Sequence, residues 1–279
     1  MKLRRLRLLS LFVLSSVFAN AQPGSELSFG AGVASYYGDL VQSSPFFREP
    51  SYAFSLGGQY YFSSHWSIRG DFSVLKVGAK DSKNSRDDLK ARNLSFKSGI
   101  WELSAEGEYN LFDLSSGEHQ WTPYVFLGAG VYHFNPTTTD RYGNKVNLQS
   151  KGTEGQGLAM YPDRKPYKLT QLNLPFGFGA KYALNEKWMI GLEFKYRYID
   201  NDYLDDVSTD RYPDYNALYA KDPTLPQLTY RGDELPGGAG YPPKTNLLPR
   251  GNPNNNDAFY SFQARLIYKL NRSGVQINY

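Results

Sequence analysis

The chain has 279 residues, with 31 Lys and Arg against 27 Asp and Glu, and its lack of cysteine excludes disulfides and thiol chemistry. Aromatic residues make up 16% of it, led by 23 tyrosines, while mean hydropathy is polar at -0.54. No run of about 18 apolar residues follows the N-terminal segment, which excludes a helical membrane protein and leaves a soluble all-β protein or a membrane β-barrel.

Residues 1–21 open with Lys2, Arg4, Arg5 and Arg7, continue through an apolar run at 8–18 and end on Ala19 and Ala21. That order predicts a cleaved secretory signal, because a spanning helix needs about 20 apolar residues. Its removal takes four bases and leaves 27 of each sign, a neutral chain without the electrostatic footprint of a nucleic-acid binder. Residues 22–270 are then read as one barrel and 271–279 as a short periplasmic tail.

Apolar and polar residues alternate over eight segments, 26–37, 51–62, 66–78, 94–112, 121–134, 171–184, 188–199 and 257–270. Each reaches the 9 to 11 or so residues that a tilted spanning strand needs. The seventh is the clearest: Trp188, Ile190, Leu192, Phe194, Tyr196 and Tyr198 share one face, and Glu193, Lys195 and Arg197 the other. The second, sixth and eighth repeat the pattern, with Tyr260, Phe262, Leu266 and Tyr268 outward in the last. In the fifth, Tyr124 and Phe126 alternate with Val125 and Leu127, and the aliphatic pair is assigned to lipid. Short connections at 63–65, 113–120 and 185–187 alternate with long ones at 38–50, 79–93, 135–170 and 200–256. This predicts an eight-stranded antiparallel transmembrane β-barrel with short periplasmic turns, long extracellular loops and outer-membrane lipid as its surroundings. Trp66, Trp121 and Trp188 each open a strand just after a short turn and are expected to form an interfacial girdle.

By the same parity Arg69, Lys181, Lys195, Arg197, Arg265 and Lys269 face inward against Asp71, Glu102, Glu106, Glu108 and Glu193. A small barrel has room only for side chains, and buried charges must be paired, so a salt-bridged plug is expected. A selective pore carries an excess of one sign, which this balance lacks. Inward glycines, among them Gly30, Gly32, Gly128, Gly130, Gly177 and Gly179, are expected to make room for long side chains opposite, and no helix follows them as a nucleotide motif requires. Catalytic patterns are thin. Among the three histidines, His133 alone lies near the outer rim, where Asp140, Asp205 or Asp206 is the acid a membrane hydrolase would use, without a nucleophile motif beside them. The run from Asp200 to Asp206 offers oxygen ligands for calcium but lacks the glycine and glutamate of an EF-hand, and it also reads as loop composition. No residue set calls for a cofactor.

Five words occur in order at strand ends: Ser35-Tyr36-Tyr37-Gly38-Asp39-Leu40, Arg92-Asn93-Leu94-Ser95-Phe96-Lys97-Ser98, the stretch from Pro123 to Tyr132, Tyr203-Leu204-Asp205-Asp206-Val207-Ser208, and Asp257-Ala258-Phe259-Tyr260-Ser261. Together they resemble the PorG-type outer-membrane proteins of Bacteroidota over nearly all of the mature chain. The resemblance implies a barrel of the type IX secretion and gliding machinery, associated with the periplasmic ring proteins PorK and PorN, and no catalytic residues. A non-enzymatic anchor is therefore the first expectation. Extracellular recognition or small-solute transport through the long loops is the second, and a lipid-modifying enzyme using His133 the third.

Overall fold

The computed structural model describes residues 24–41, 49–238, 240–241 and 249–270. The signal expected at 1–21 and the tail expected at 271–279 lie outside the described residues. Among the described residues nine strands form one antiparallel sheet: β1 (Gly24–Tyr37), β2 (Ser51–Tyr61), β3 (Trp66–Lys80), β4 (Ser95–Asn110), β5 (Trp121–Thr139), β6 (Lys145–Asn147), β7 (Thr170–Ala183), β8 (Trp188–Ile199) and β9 (Ala258–Lys269). Neighbouring strands pair in chain order, except that β7 joins β5 directly, and β1 pairs with β9 from Glu26↔Lys269 to Tyr37↔Ala258 to close an eight-stranded barrel. The extra strand β6 pairs with the end of β5, from Thr137↔Asn147 to Thr139↔Lys145, as a hairpin that rises above the rim. Among the described residues, no helix is long and apolar enough to cross a membrane.

The period-two pattern decides which side each residue faces. Val125, Leu127, Leu172 and Phe178 are 56%, 64%, 78% and 60% exposed, whereas Tyr124 and Phe126 are buried inside. Exposure that large on aliphatic and aromatic side chains is what a lipid-facing surface requires, and hydrocarbon contact removes its cost. Tyr260 keeps the outward register expected of it, opposite Tyr196, yet is only 8% exposed and packs beside Phe194 at 6.0 Å. The β5–β7 ladder skips Gly128 and Ala129, where Pro175 has no N–H to donate toward β5, and resumes at Gly130↔Asn173.

Boundaries differ from the alternation by one or two residues at several ends and by five at one. Leu111 and Phe112 belong to the turn after β4, where Phe112 N–H donates to Thr122 Oγ1 at 2.8 Å. At the other end β5 continues through Pro136 to Thr139, five residues beyond Phe134, because the start of β4 offers Ser98 and Lys97 as partners on one side and β6 pairs with Thr137, Thr138 and Thr139 on the other. The long connections contain short helices at Asp87–Arg92, Leu148–Lys151, Tyr215–Lys221 and Leu225–Thr229. Asp214 caps the third by accepting from Ala217 N–H at 2.9 Å, and Asn93, in the left-handed region at φ 59°, ends the first.

Inward glycines set how closely the wall and the filling approach. A Cβ at Gly177 would lie 2.0 Å from the Phe194 carbonyl and 2.7 Å from the Phe126 ring; at Gly179 it would meet the Tyr124 ring at 2.5 Å. The space these two leave is therefore taken by aromatic rings of β5. Replacing Gly177 with leucine is expected to cost about 1–3 kcal/mol through overpacking. The measurement is the urea midpoint of the heat-shifted folded band on a denaturing gel, and an unchanged midpoint contradicts the packing argument.

Candidate functional site

All eleven charged side chains expected inside are buried, from 0% exposed at Asp71, Glu102 and Glu108 to 6% at Lys269. Eight of them join an ion-paired network that crosses the barrel, and Arg197 and Glu102 form a separate pair. Arg69 on β3 pairs with Glu106 and Glu108 on β4 and, at 2.7 Å, with Glu193 on β8, the strand diametrically opposite. Lys195 of β8 returns the span to Asp71 at 2.9 Å and to Glu106 at 2.7 Å. Arg265 on β9 joins Asp71 and Glu193, each at 3.0 Å. Nearer the short turns, Lys181 contacts Glu108, Gln59 at 3.3 Å and the Tyr61 hydroxyl at 3.0 Å. Nearer the long loops, Arg197 pairs with Glu102 at 3.0 Å and donates to Ser261 Oγ at 2.7 Å. Side chains that touch across the full diameter leave a filled lumen, and the multiple donors on each carboxylate offset the cost of taking the ions out of water.

Alternation also places Glu26 inward, beyond the eleven charges expected above. It is 6% exposed, accepts from the Tyr61 hydroxyl at 3.1 Å and lies opposite Lys269 in the β1–β9 register, giving six acids for the six bases in the strand-borne lumen. Neutral partners were missed as well. Tyr124 donates to Glu193 at 2.8 Å, Gln59 supplies its amide to Ser67 Oγ at 2.7 Å and to Glu108, and Arg69 and Lys181 lie over the Phe126 and Tyr124 rings. Parity marks their side of the wall, but which acid each bonds depends on strand stagger, which no local pattern carries.

The three tryptophans stand at the short-turn end on the outer surface, 39% to 51% exposed, with Trp66 against Tyr109 and Trp188 against Tyr268, both at 4.8 Å. His133 also lies on the outer wall, stacked on Trp101 at 5.6 Å and bonded to Thr170 Oγ1 at 2.9 Å. The acids considered for it are engaged elsewhere: Asp140 with Asn144 and Tyr142, Asp205 with Tyr36 and Val207, and Asp206 with Thr153 and Tyr167.

Above the ionic network the lumen becomes apolar. Tyr36, Phe96, Tyr132, Phe134 and Phe259 from the strands pack with Leu148, Leu204 and Val207 from the connections. A second polar layer covers this plug. Arg92 holds Asp81 at 2.7 Å, Arg250 pairs with Glu154, and the Tyr36 hydroxyl bonds both Asp205 and Asp257. The aspartates of the run from Asp200 are thus divided between an exposed Asp200, bonded to Asn256 at 3.1 Å, buried Asp205 and Asp206, which bond protein hydroxyls and amides, and Asp202, whose oxygens are buried without a hydrogen-bond partner among the described residues. Among the described residues no group of three or more His, Cys, Asp or Glu is arranged to hold a metal ion. Burial pushes the Asp202 carboxyl up to about 9, against a lowering contact with Ser208. It raises Asp206 to about 6 despite Arg250, Thr153 and Tyr167, and with Asp39 nearby it raises Asp205 as well.

The model of the outer membrane protein beta-barrel domain matches residues 6–217. No curated protein matches. Among solved structures the chain is similar to Ail, the attachment invasion locus protein of Yersinia pestis, at 10% identity and a TM-score of 0.43, over 90% of this chain and 100% of that one. Neisserial surface protein A matches at 10% and 0.44, over 88% and 97%, and the outer membrane enzyme PagL at 12% and 0.28, over 88% and 97%.

Two outcomes follow from this geometry. Arg69→Met strands Glu106, Glu108 and Glu193 without their shared cation and is expected to cost about 3–5 kcal/mol, read as a lower urea midpoint, while Arg211→Met, at an 85% exposed side chain, leaves it unchanged. The cap is expected to loosen with alkali. Carboxyls raised in the folded state stabilise it fully below their ordinary value of 3.8, and that contribution is lost as pH rises through about 6 for Asp206 and about 9 for Asp202. Hydrogen exchange at the Leu204, Val207 and Ser208 amides, corrected for intrinsic rate, should show falling protection from pH 5 to pH 10, with the upper part of the fall removed by Asp202→Asn. Protection that holds constant or rises contradicts it.

Proposed function

We propose a function from one established premise: the chain belongs to the outer membrane protein beta-barrel domain family and resides in the outer membrane. Its task is positional and non-enzymatic. It anchors or helps to assemble a periplasmic complex, as the resemblance to PorG-type proteins implies for the type IX secretion system, with PorK- and PorN-like ring proteins as partners. The observation that carries this reading is the ion-bridged lumen, in which Arg69 and Lys195 tie β3 to β8 across the whole diameter. A cylinder filled in this way is stiff and spends its interior on cohesion, so its surfaces are what it offers to others. The connection at 111–120 is the longest of the three short ones between paired strands. It stands beside the Trp121 girdle, where Phe112 packs on Trp121 at 5.4 Å and on His119 at 4.7 Å.

Extracellular recognition is the second reading. The ordered outer cap favours it, presenting Tyr142 at 74% and Tyr219 at 50% exposure. Loops on a rigid scaffold are common binding surfaces.

Affinity purification from native outer membrane, in detergent that preserves protein rings, should recover a ring-forming lipoprotein with the barrel. Replacing 113–119 by a Gly/Ser segment of equal length should abolish the recovery while the heat-shifted band persists. A barrel recovered alone counts against the anchor. Planar-bilayer recordings are expected to show no unitary conductance; a steady channel would favour transport instead.

A further inference from the structure

The outer wall carries a groove of about 710 Å³ at the long-loop end of β3, β4 and β5. Its floor is set by register. Lys76 lies opposite Gly99 and Lys97 opposite Gly78, so each lysine has a glycine beside it rather than another side chain. Gly99 then faces Asn135, and a Cβ added to Gly99 would meet nothing within 4 Å. Lys80 and Lys145 complete the rim, with Arg231 at the top donating to the Thr139 carbonyl at 2.8 Å. Asp140 is the acid in the lining, and its oxygens already accept from Tyr142 N–H, Asn144 N–H and the Asn144 amide.

Five cations therefore surround one space. The neighbouring Lys83 and Arg231 have acids of their own, Glu49 and Glu234, whereas among the described residues Lys76, Lys80, Lys97 and Lys145 make no ion pair. Like charges gathered around a concave wall raise the local positive potential, which an incoming anion relieves. Height identifies the source of that anion. Phe72 and Val74, 44% and 41% exposed, share the outward face of β3 with Lys76, and Trp101 stands two residues below Gly99 on β4. Lys76 is ten positions along β3 from Trp66, which at roughly 3.3 Å per residue and about 40° of tilt is about 25 Å of height, the thickness of the apolar band. The groove thus opens sideways at the headgroup level of the outer leaflet, and Asn135 and Thr137 add hydrogen-bonding groups to its wall.

We propose that this groove binds the phosphorylated headgroup of an outer-leaflet lipid, with Lys76, Lys80, Lys97 and Lys145 as the phosphate-binding cations and Gly99 as the floor that admits it. The site is independent of the anchoring role. Phosphate is the recognised chemistry, and its lateral opening assigns it to a membrane lipid rather than to a free ion.

The test uses the full chain purified in detergent, with heat-shifted migration confirming the fold of every variant. The probes are fluorescent bisphosphorylated lipid A, the same lipid after phosphatase treatment, and inorganic phosphate as competitor. Lys80→Glu with Lys97→Glu is expected to weaken binding of the phosphorylated lipid by at least about tenfold. Gly99→Trp, which keeps every charge and enters open space, should do the same by filling the floor. The dephosphorylated lipid should bind at least about tenfold more weakly than the phosphorylated form. Equal binding of the two lipids overturns the proposal, as does unchanged binding in both variants. Displacement of the lipid by inorganic phosphate at the lipid's own concentration overturns the assignment to a lipid.

Discussion

In hydrocarbon, an unpaired backbone N–H or C=O costs several kcal/mol, so a sheet that enters a membrane must have no edge. Here that constraint is met by one seam, the twelve residue pairs between β1 and β9, which convert a meander into a cylinder. Closure with eight strands leaves an interior only as wide as its side chains. Everything inside must then either be apolar or bring its counter-ion, and the charges of β3, β4, β8 and β9, all buried, answer one another across the lumen. Pro175 shows how little slack exists: where its ring removes a donor, the ladder breaks for two positions and then resumes in the same register.

The filling is layered. Ionic contacts occupy the half toward the short turns, an aromatic and aliphatic plug the half toward the long loops, and a second set of charges seals the top. The middle layer draws on both wall and connections, since Phe134 stacks with Tyr167 and Tyr167 with Tyr203. The connections are thereby held down by the same burial that fills the barrel, and carboxyls such as Asp202 and Asp206 pass from water into an interior that disfavours their charge. Interior and exterior therefore have separate roles: the first supplies rigidity, while the second meets lipid.

How far the residues alone could be read follows from the range of each interaction. Alternation over 188–199 separates Trp188 and Leu192 from Glu193 and Lys195 because a strand's side-chain period is set by the backbone itself. The same rule resolves Val125 and Leu127 from Tyr124 and Phe126 once glycines on β7 are seen to receive the rings. It carries the location of the lumenal charges, and Glu26 with them. The β5–β6 hairpin was not legible, because Asn135-Pro136-Thr137 has the composition of a loop and becomes strand only where it pairs with the start of β4 and with β6.

The amino-acid order by itself determined the eight barrel strands, their inward and outward faces, the outward tryptophans at the short-turn end and the balance of charge in the lumen, all consequences of a two-residue period and of connection length. Only the tertiary structure decided that Arg69 meets Glu193, that Tyr36 lies between Asp205 and Asp257, and that four outward lysines converge around Gly99. Those contacts join positions far apart in the chain, and they depend on barrel stagger and on how the long connections fold back, which are properties of the closed sheet as a whole.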